Sequence, residues 1–172
     1  DIRLSGGGGS HGQQTSAMLE GIERALIEQK SDAVVVYGDT NSTLAGALAA
    51  VKHGIPICHI EAGLRSFDKR MPEEINRVLT DHVSDVLFCP TRNAVTNLNR
   101  EGITDNVIHV GDIMFDAVRL FAASGLKSAH LAEAKRKHDS YIVLTIHRQA
   151  AVADDQLFTD LLHYCKDFCK HY

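Results

Sequence analysis

Short apolar runs alternate along the chain with longer stretches in which apolar residues recur every three or four positions. That rhythm is the mark of β-α-β units around a parallel sheet. Residues 33–37 read as a buried strand. Residues 42–53 follow as a helix with Leu44, Ala47, Leu48 and Val51 on one face, Gly54 suits its C-terminal end, and residues 55–60 form the next strand. A helix over 72–84 has Pro72 in its first turn and Glu73 and Glu74 near its positive end, and its residues Ile75, Val78, Leu79 and Val83 are predicted to face inward. Residues 86–89 make a further strand, Thr91 suits an N-cap, 93–101 a helix closed by Gly102, and 107–110 a strand.

Residues 113–123 read as helical, whereas 125–140 are polar and mixed, which makes a domain boundary plausible nearby. A new strand is predicted at 141–146, then a helix over 154–171 from the spacing of Leu157, Phe158, Leu161, Leu162, Cys165, Phe168 and Cys169. Both ends of the chain read as cut. Near the start, residues 6–10 spell GGGGS, the sequence of a common flexible linker. They run straight into His11-Gly12-Gln13-Gln14-Thr15 and a helical pattern through Met18, Leu19, Ile22, Ala25 and Leu26, so a glycine-rich loop opening a helix and able to cradle an anion is the competing reading.

Composition narrows the class. Of the 172 residues, 44% are apolar, enough for a real core, and the formal charge of −4 comes with no Lys/Arg stripe, so a nucleic-acid partner is not expected. No run approaches the roughly 20 apolar residues of a membrane span. There is also no basic-then-apolar leader, and a soluble cytoplasmic protein is expected. Cys58, Cys89, Cys165 and Cys169 have no framework spacing and are expected to be reduced. At about 100° per residue, His163 and His171 lie nearly opposite their adjacent cysteines on a helix, so no metal site is expected there.

In a parallel sheet, ligands bind beyond the carboxyl ends of the strands. That rule selects Gly38-Asp39-Thr40, Glu61-Ala62-Gly63-Leu64-Arg65 and His147-Arg148. Strands joined by a simple crossover are often neighbours, so Asp39 and Glu61 are candidates for a carboxylate pair with separated acid and base roles. Arg65 and Arg70 could hold a carboxylate ionised or bind an anionic substrate. Structural alternatives stand beside these: Asp39 as a helix N-cap, Glu61 in an ion pair, Glu73 and above all Glu74 as complements to a helix dipole, and His147 as a packed strand-end residue.

The ordered blocks Tyr37-Gly38-Asp39-Thr40-Asn41-Ser42-Thr43-Leu44-Ala45, His59-Ile60-Glu61-Ala62-Gly63-Leu64-Arg65-Ser66, Met71-Pro72-Glu73-Glu74-Ile75-Asn76-Arg77 and Thr80-Asp81-His82 closely resemble the non-hydrolysing UDP-N-acetylglucosamine 2-epimerases. The likeness runs from about Ser10 to His147, and Ser10 to Thr15 is similar to the family's Ser-His-Gly-x-Gln-Thr segment. It implies an α/β fold of Rossmann-like parallel sheets, part of a two-domain GT-B-type architecture. Residues 1–115 would be the later part of the N-terminal domain, and 116–172 the interdomain connection and start of the C-terminal domain. The family's opening strand and Gly-Thr-Arg-Pro loop have no counterpart here. The implied chemistry is inversion at C2 of a UDP-linked N-acetylated amino sugar by elimination and re-addition of UDP, with no cofactor and no metal, in a cytoplasmic homodimer. Asp39, Glu61, Glu73 and His147 would be catalytic, and His11, Gln14, Thr40, Arg65, Arg70 and Arg148 would bind substrate.

One segment departs from the family pattern: His-Arg-x-Glu-Asn is replaced by His147-Arg148-Gln149-Ala150-Ala151, which puts regulation through a second UDP-sugar site in doubt. Arg65-Ser66-Phe67 and Arg70-Met71-Pro72 are more similar to the branch acting on UDP-2,3-diacetamido-2,3-dideoxyglucuronate. The rival expectations are a GT-B glycosyltransferase and a non-catalytic paralogue. These 172 residues alone are expected to be inactive.

Overall fold

The computed structural model describes residues 8–125, 127–137, 143–146 and 154–171. The chain forms two compact units, Asp1–Phe121 and Ala122–Tyr172. In the first unit, α1 (His11–Gln29) leads into β1 (Val34–Tyr37), α2 (Asn41–Lys52), β2 (Ile57–Ile60), α3 (Pro72–Val83), β3 (Val86–Cys89), α4 (Arg92–Arg100) and β4 (Val107–His109). The four strands are all parallel in the order β1-β2-β3-β4, with Val36 opposite His59 and Leu87 opposite Val107. Helix α5 (Ile113–Gly125) follows, and the second unit carries α6 (Ala129–Lys137) and α7 (Asp155–His171).

From β1 to α5, and at α7, each element begins and ends within two residues of its predicted position, whereas α1 already starts at His11, ahead of the helical pattern read through Met18 to Leu26. Their ends follow from local chemistry. Ser10 and Gln13 form a capping box that starts α1, Thr40 and Thr43 form another at α2, and Thr91 caps α4. Gly9 has φ +81°, and a Cβ there would meet Gln13 Oε1 at 2.5 Å, so the glycine-rich entry is fitted to this helix start. Two apolar clusters cement the sheet: Val36, Ala47, Ala50 and Ile57 where α2 meets β1 and β2, and Ala62, Leu87, Cys89, Ala94 and Leu98 where α4 meets β3. Ile57, Leu87 and Leu98 are fully buried. Each such side chain contributes about 1.5–3 kcal/mol of transfer free energy.

Four expectations need correcting. Val35 and Tyr37 are exposed, so β1, at the edge of the sheet among the described residues, is covered on one face only and is not buried throughout. On α3, Ile75 and Leu79 are 46% and 45% exposed, while Glu74, Asn76, Thr80 and Asp81 are buried. The helix turns a polar face inward because hydrogen-bond partners await Glu74, Asn76 and Asp81 there. Residues 129–137, within the stretch read as polar and mixed, form α6, a sequence of strong helix formers such as Ala, Leu, Glu, Lys and Arg. Residues 143–146 belong to no regular element, and 141–142 of the strand predicted there lie outside the described residues.

Candidate functional site

The carboxyl edge of β1 and β2 is shaped by two left-handed backbone positions. β1 is followed by Gly38 at φ +62°, whose amide donates to the Ile60 carbonyl at 3.0 Å. β2 is followed by Glu61 at φ +75°. A side-chain-bearing residue held in a sparsely populated region costs about 1–3 kcal/mol and persists only where its surroundings fix it. Here the amides of both Glu61 and Ala62 donate to the Phe88 carbonyl, each at 3.1 Å. Gly63, at φ +78°, completes the turn. A Cβ on it would fall 2.5 Å from the Ala94 carbonyl oxygen, so only glycine lets α4 approach.

This backbone holds the Glu61 carboxyl over Gly38, with Oε2 3.6 Å from where a Cβ on that glycine would stand. Glu61 lines a cleft of about 200 Å³ together with Ile60, Phe88, Pro90, Asp112 and Asp116. Among the described residues no ion pair engages it. Burial pushes its carboxyl above the usual range, and the charges of Asp39 and Asp112 push the same way, against the pull of Arg77 and His59. A carboxyl so placed is suited to exchanging protons.

Asp39 takes a different position. The N-cap of α2 is Thr40, and the Asp39 carboxylate instead receives the Arg77 guanidinium, which also donates to Glu74 Oε2 at 3.1 Å. Asn76 Nδ2 donates to the Asp39 carbonyl at 2.9 Å and to Asn41 Oδ1 at 3.1 Å. Asn41 Nδ2 in turn reaches His11 Nδ1 at 3.0 Å and Gln14 Oε1 at 2.9 Å. His11, Gln14 and Asp39 are thereby joined into one hydrogen-bonded rim drawn from α1, α2 and α3.

Arg65 requires a correction. Its side chain is 1% exposed, and its guanidinium donates to Asp81 Oδ2 at 2.7 Å, to both oxygens of Glu101 at 2.7 and 2.6 Å, and to the Leu64 carbonyl at 2.7 Å. It ties the loop after β2 to α3 and α4 and presents no surface to a ligand. Those carboxylates hold its charge more firmly than usual, although burial opposes them. Arg70 is 91% exposed and pairs with Asp68 at 2.8 Å. Glu73 is exposed in the first turn of α3. Glu74 does more than complement a dipole. Burial alone would raise its carboxyl, but amides of Ser66 and Phe67, each at 2.8 Å, the Ser66 hydroxyl and Arg77 hold it below the usual range.

The sequence profile described as UDP-N-acetylglucosamine 2-epimerase matches residues 1–171. The chain belongs to this family. It is 50% identical over 165 residues to the UDP-2,3-diacetamido-2,3-dideoxy-D-glucuronate 2-epimerase of Pseudomonas aeruginosa, a match over 94% of this chain and 46% of that protein. It is 47% identical over 176 residues to a UDP-N-acetylglucosamine 2-epimerase of Methanococcus maripaludis, covering 100% and 48%. The crystal structure of the Methanocaldococcus jannaschii UDP-GlcNAc 2-epimerase with UDP-GlcNAc and UDP superposes with a TM-score of 0.88 at 44% identity, over 96% of this chain and 46% of that one. The chain therefore spans about half the length of the curated relatives it matches.

The α/β class with a Rossmann-like parallel sheet, expected as part of a GT-B-type fold, is the fold shared with these 2-epimerases. His147 and Arg148 lie outside the described residues. Reasoning from the sequence assigned no role to Arg77, Asn41, Asn76, Asp112 or Asp116, although Arg77 falls in a block that carried the family resemblance. Its signal was helical spacing: three residues after Glu74, a cation on the same face can meet that carboxylate.

Proposed function

We propose that the complete protein inverts C2 of a UDP-linked N-acetylated amino sugar. The observation that carries this reading is a carboxyl of raised proton affinity, Glu61, in a cleft beside the Arg77-bound Asp39. A carboxylate removes the C2 proton as the C1–O bond breaks, and UDP departs with the electron pair, leaving a C1–C2 double bond. UDP then adds back to C1, and a second carboxyl delivers a proton to the opposite face of C2. Asp39, Glu61 and Glu73 form the acid/base set, and each would contribute about 10²–10⁴-fold.

The departing diphosphate carries negative charge that this acidic cleft does not itself stabilise, so cations and amides must come from around it. His11, Gln14, Thr40, Arg70, His147 and Arg148 are the groups proposed for that task. Residues 1–115 would be the later part of the N-terminal domain, and 116–172 the interdomain connection and the start of the C-terminal domain. A cytoplasmic homodimer in polysaccharide-precursor synthesis is part of the same proposal. Among the described residues, no helix is long and apolar enough to cross a membrane.

Proton NMR of the complete protein with UDP-N-acetylglucosamine in deuterated water tests the reading. Deuterium at C2 and appearance of the manno epimer, with no acceptor present, are the expected results. Release of UDP with transfer to an added acceptor would establish a glycosyltransferase instead. The likeness to the Pseudomonas relative favours a second substrate, UDP-2,3-diacetamido-2,3-dideoxyglucuronate, which the same assay would distinguish.

A further inference from the structure

The chemistry proposed above leaves without a role the most buried ion pair among the described residues of the first unit. His59 lies on β2 two residues before Glu61, and Asp81 lies on α3; both side chains are fully buried. His59 Nε2 is 2.8 Å from the Gly38 carbonyl oxygen, and Nδ1 is 2.7 Å from Asp81 Oδ1. A carbonyl oxygen only accepts, so Nε2 carries a proton. The other oxygen of Asp81 receives the Gly63 amide at 3.1 Å and the Arg65 guanidinium at 2.7 Å, donors that favour an ionised carboxylate. An ionised carboxylate also only accepts, so Nδ1 carries a proton as well. The ring is then an imidazolium, and with Asp81, Arg65 and Glu101 it makes a set of two cations and two anions. Matched charges and filled hydrogen bonds are the conditions under which such groups tolerate burial.

The placement of this ring matters for the carboxylates. Gly38 has no Cβ to restrict it, and at φ +62° the 38–39 peptide could rotate readily. The peptides on either side of Gly38 Cα are each held by β2: the 37–38 peptide through the Gly38 amide, which donates to the Ile60 carbonyl, and the 38–39 peptide through the Gly38 carbonyl, which accepts from His59. Asp39 begins on the far side of that peptide, and the Glu61 carboxyl lies over Gly38 itself. We propose that His59 is a positioning residue, doubly protonated and anchored by Asp81, whose ring fixes the Gly38 carbonyl and so sets Asp39 beside Glu61. Its kinetic consequence rests on the epimerisation reading; its protonation state and geometric effect do not.

The test uses the complete protein. Nitrogen-15 NMR of the histidine rings at neutral pH should show both nitrogens of His59 protonated, and one unprotonated nitrogen overturns the proposal. His59→Gln keeps a single donor and His59→Phe keeps none. Misplacement of reacting groups by about 1 Å lowers turnover on the order of 100-fold, so His59→Phe should lose about that factor in kcat and His59→Gln about tenfold, with KM within about twofold. In His59→Gln the carboxyl carbon resonances of Asp39 and Glu61 should move while that of Glu74 stays. A folded His59→Gln variant with wild-type kcat, or with Asp39 and Glu61 resonances unmoved, overturns the proposal, and it decides the matter if His59→Phe does not fold. Absence of C2 exchange in the wild-type protein would sink the epimerisation reading alone, because the ring protons and carboxyl resonances report independently of turnover.

Discussion

Glu61 and Glu74 are both glutamates at ends of regular elements in the first unit, and their surroundings treat them in opposite ways. Glu61 shares a cleft with Asp112 and Asp116 and is lifted above the normal range by burial and neighbouring negative charge. Glu74 is enclosed by two backbone amides, a hydroxyl and a guanidinium that together outweigh burial and hold it ionised. The lesson concerns donors rather than depth. A buried carboxylate met by several N–H groups becomes a fastener, whereas one met mostly by like charge keeps a proton within easy exchange.

The largest effect should come from emptying the reactive side of this contrast. Glu61→Gln in the complete protein is expected to lower C2 deuterium exchange by about 10²–10⁴-fold with a native circular dichroism spectrum. Activity within about threefold of wild type would remove Glu61 from the chemistry. On the fastening side, Arg65→Met removes the guanidinium that Asp81 and Glu101 share. Breaking a buried pair costs about 3–5 kcal/mol, to be read from urea unfolding. A loss of only a few tenths would show that Arg65 is dispensable to the fold.

A pH series sharpens the contrast. Glu61 lies above and Glu74 below the ordinary value of 4.5. A raised carboxyl contributes stability that is complete below its unfolded value and vanishes as pH rises through its folded value. A depressed one contributes stability above its unfolded value, lost as pH falls through its folded value. Glu61→Gln should therefore gain in urea midpoint relative to the parent as pH climbs past the ordinary range. The deficit of Glu74→Gln should be full at neutral pH and shrink in acid. Parallel curves for the two variants would abolish the distinction. The smallest effect is expected at Thr80, whose buried Oγ1 has no hydrogen-bond partner among the described residues. Thr80→Val should change stability by no more than about 0.5 kcal/mol or improve it, because an unsatisfied hydroxyl is removed without loss of shape.

Much of this arrangement was legible before any coordinates. Strand ends place Asp39 and Glu61 on one edge, and caps such as Thr91 can be read directly from residue type. The inward face of α3 could not be found by following apolar residues, since its buried positions are Glu74, Asn76, Thr80 and Asp81. Nor could the fate of Arg65. A guanidinium just past a strand reads locally as an anion site, but its partners lie 16 and 36 residues away, and pairing at that range leaves no periodic trace. Helix α6 was missed for the opposite reason: its signal was propensity, which the search for apolar faces passed over.

Helix α3 links the two halves of the contrast along a single rod. Arg77, which grips Asp39, and Asp81, which grips His59 and Arg65, are four residues apart, about one turn or 6 Å along the axis. A tilt or slide of that helix must disturb both grips at once. Substitutions that merely loosen its seat, remote from any sugar, are then expected to slow turnover and soften the fold together, so suppressors of one defect should repair the other.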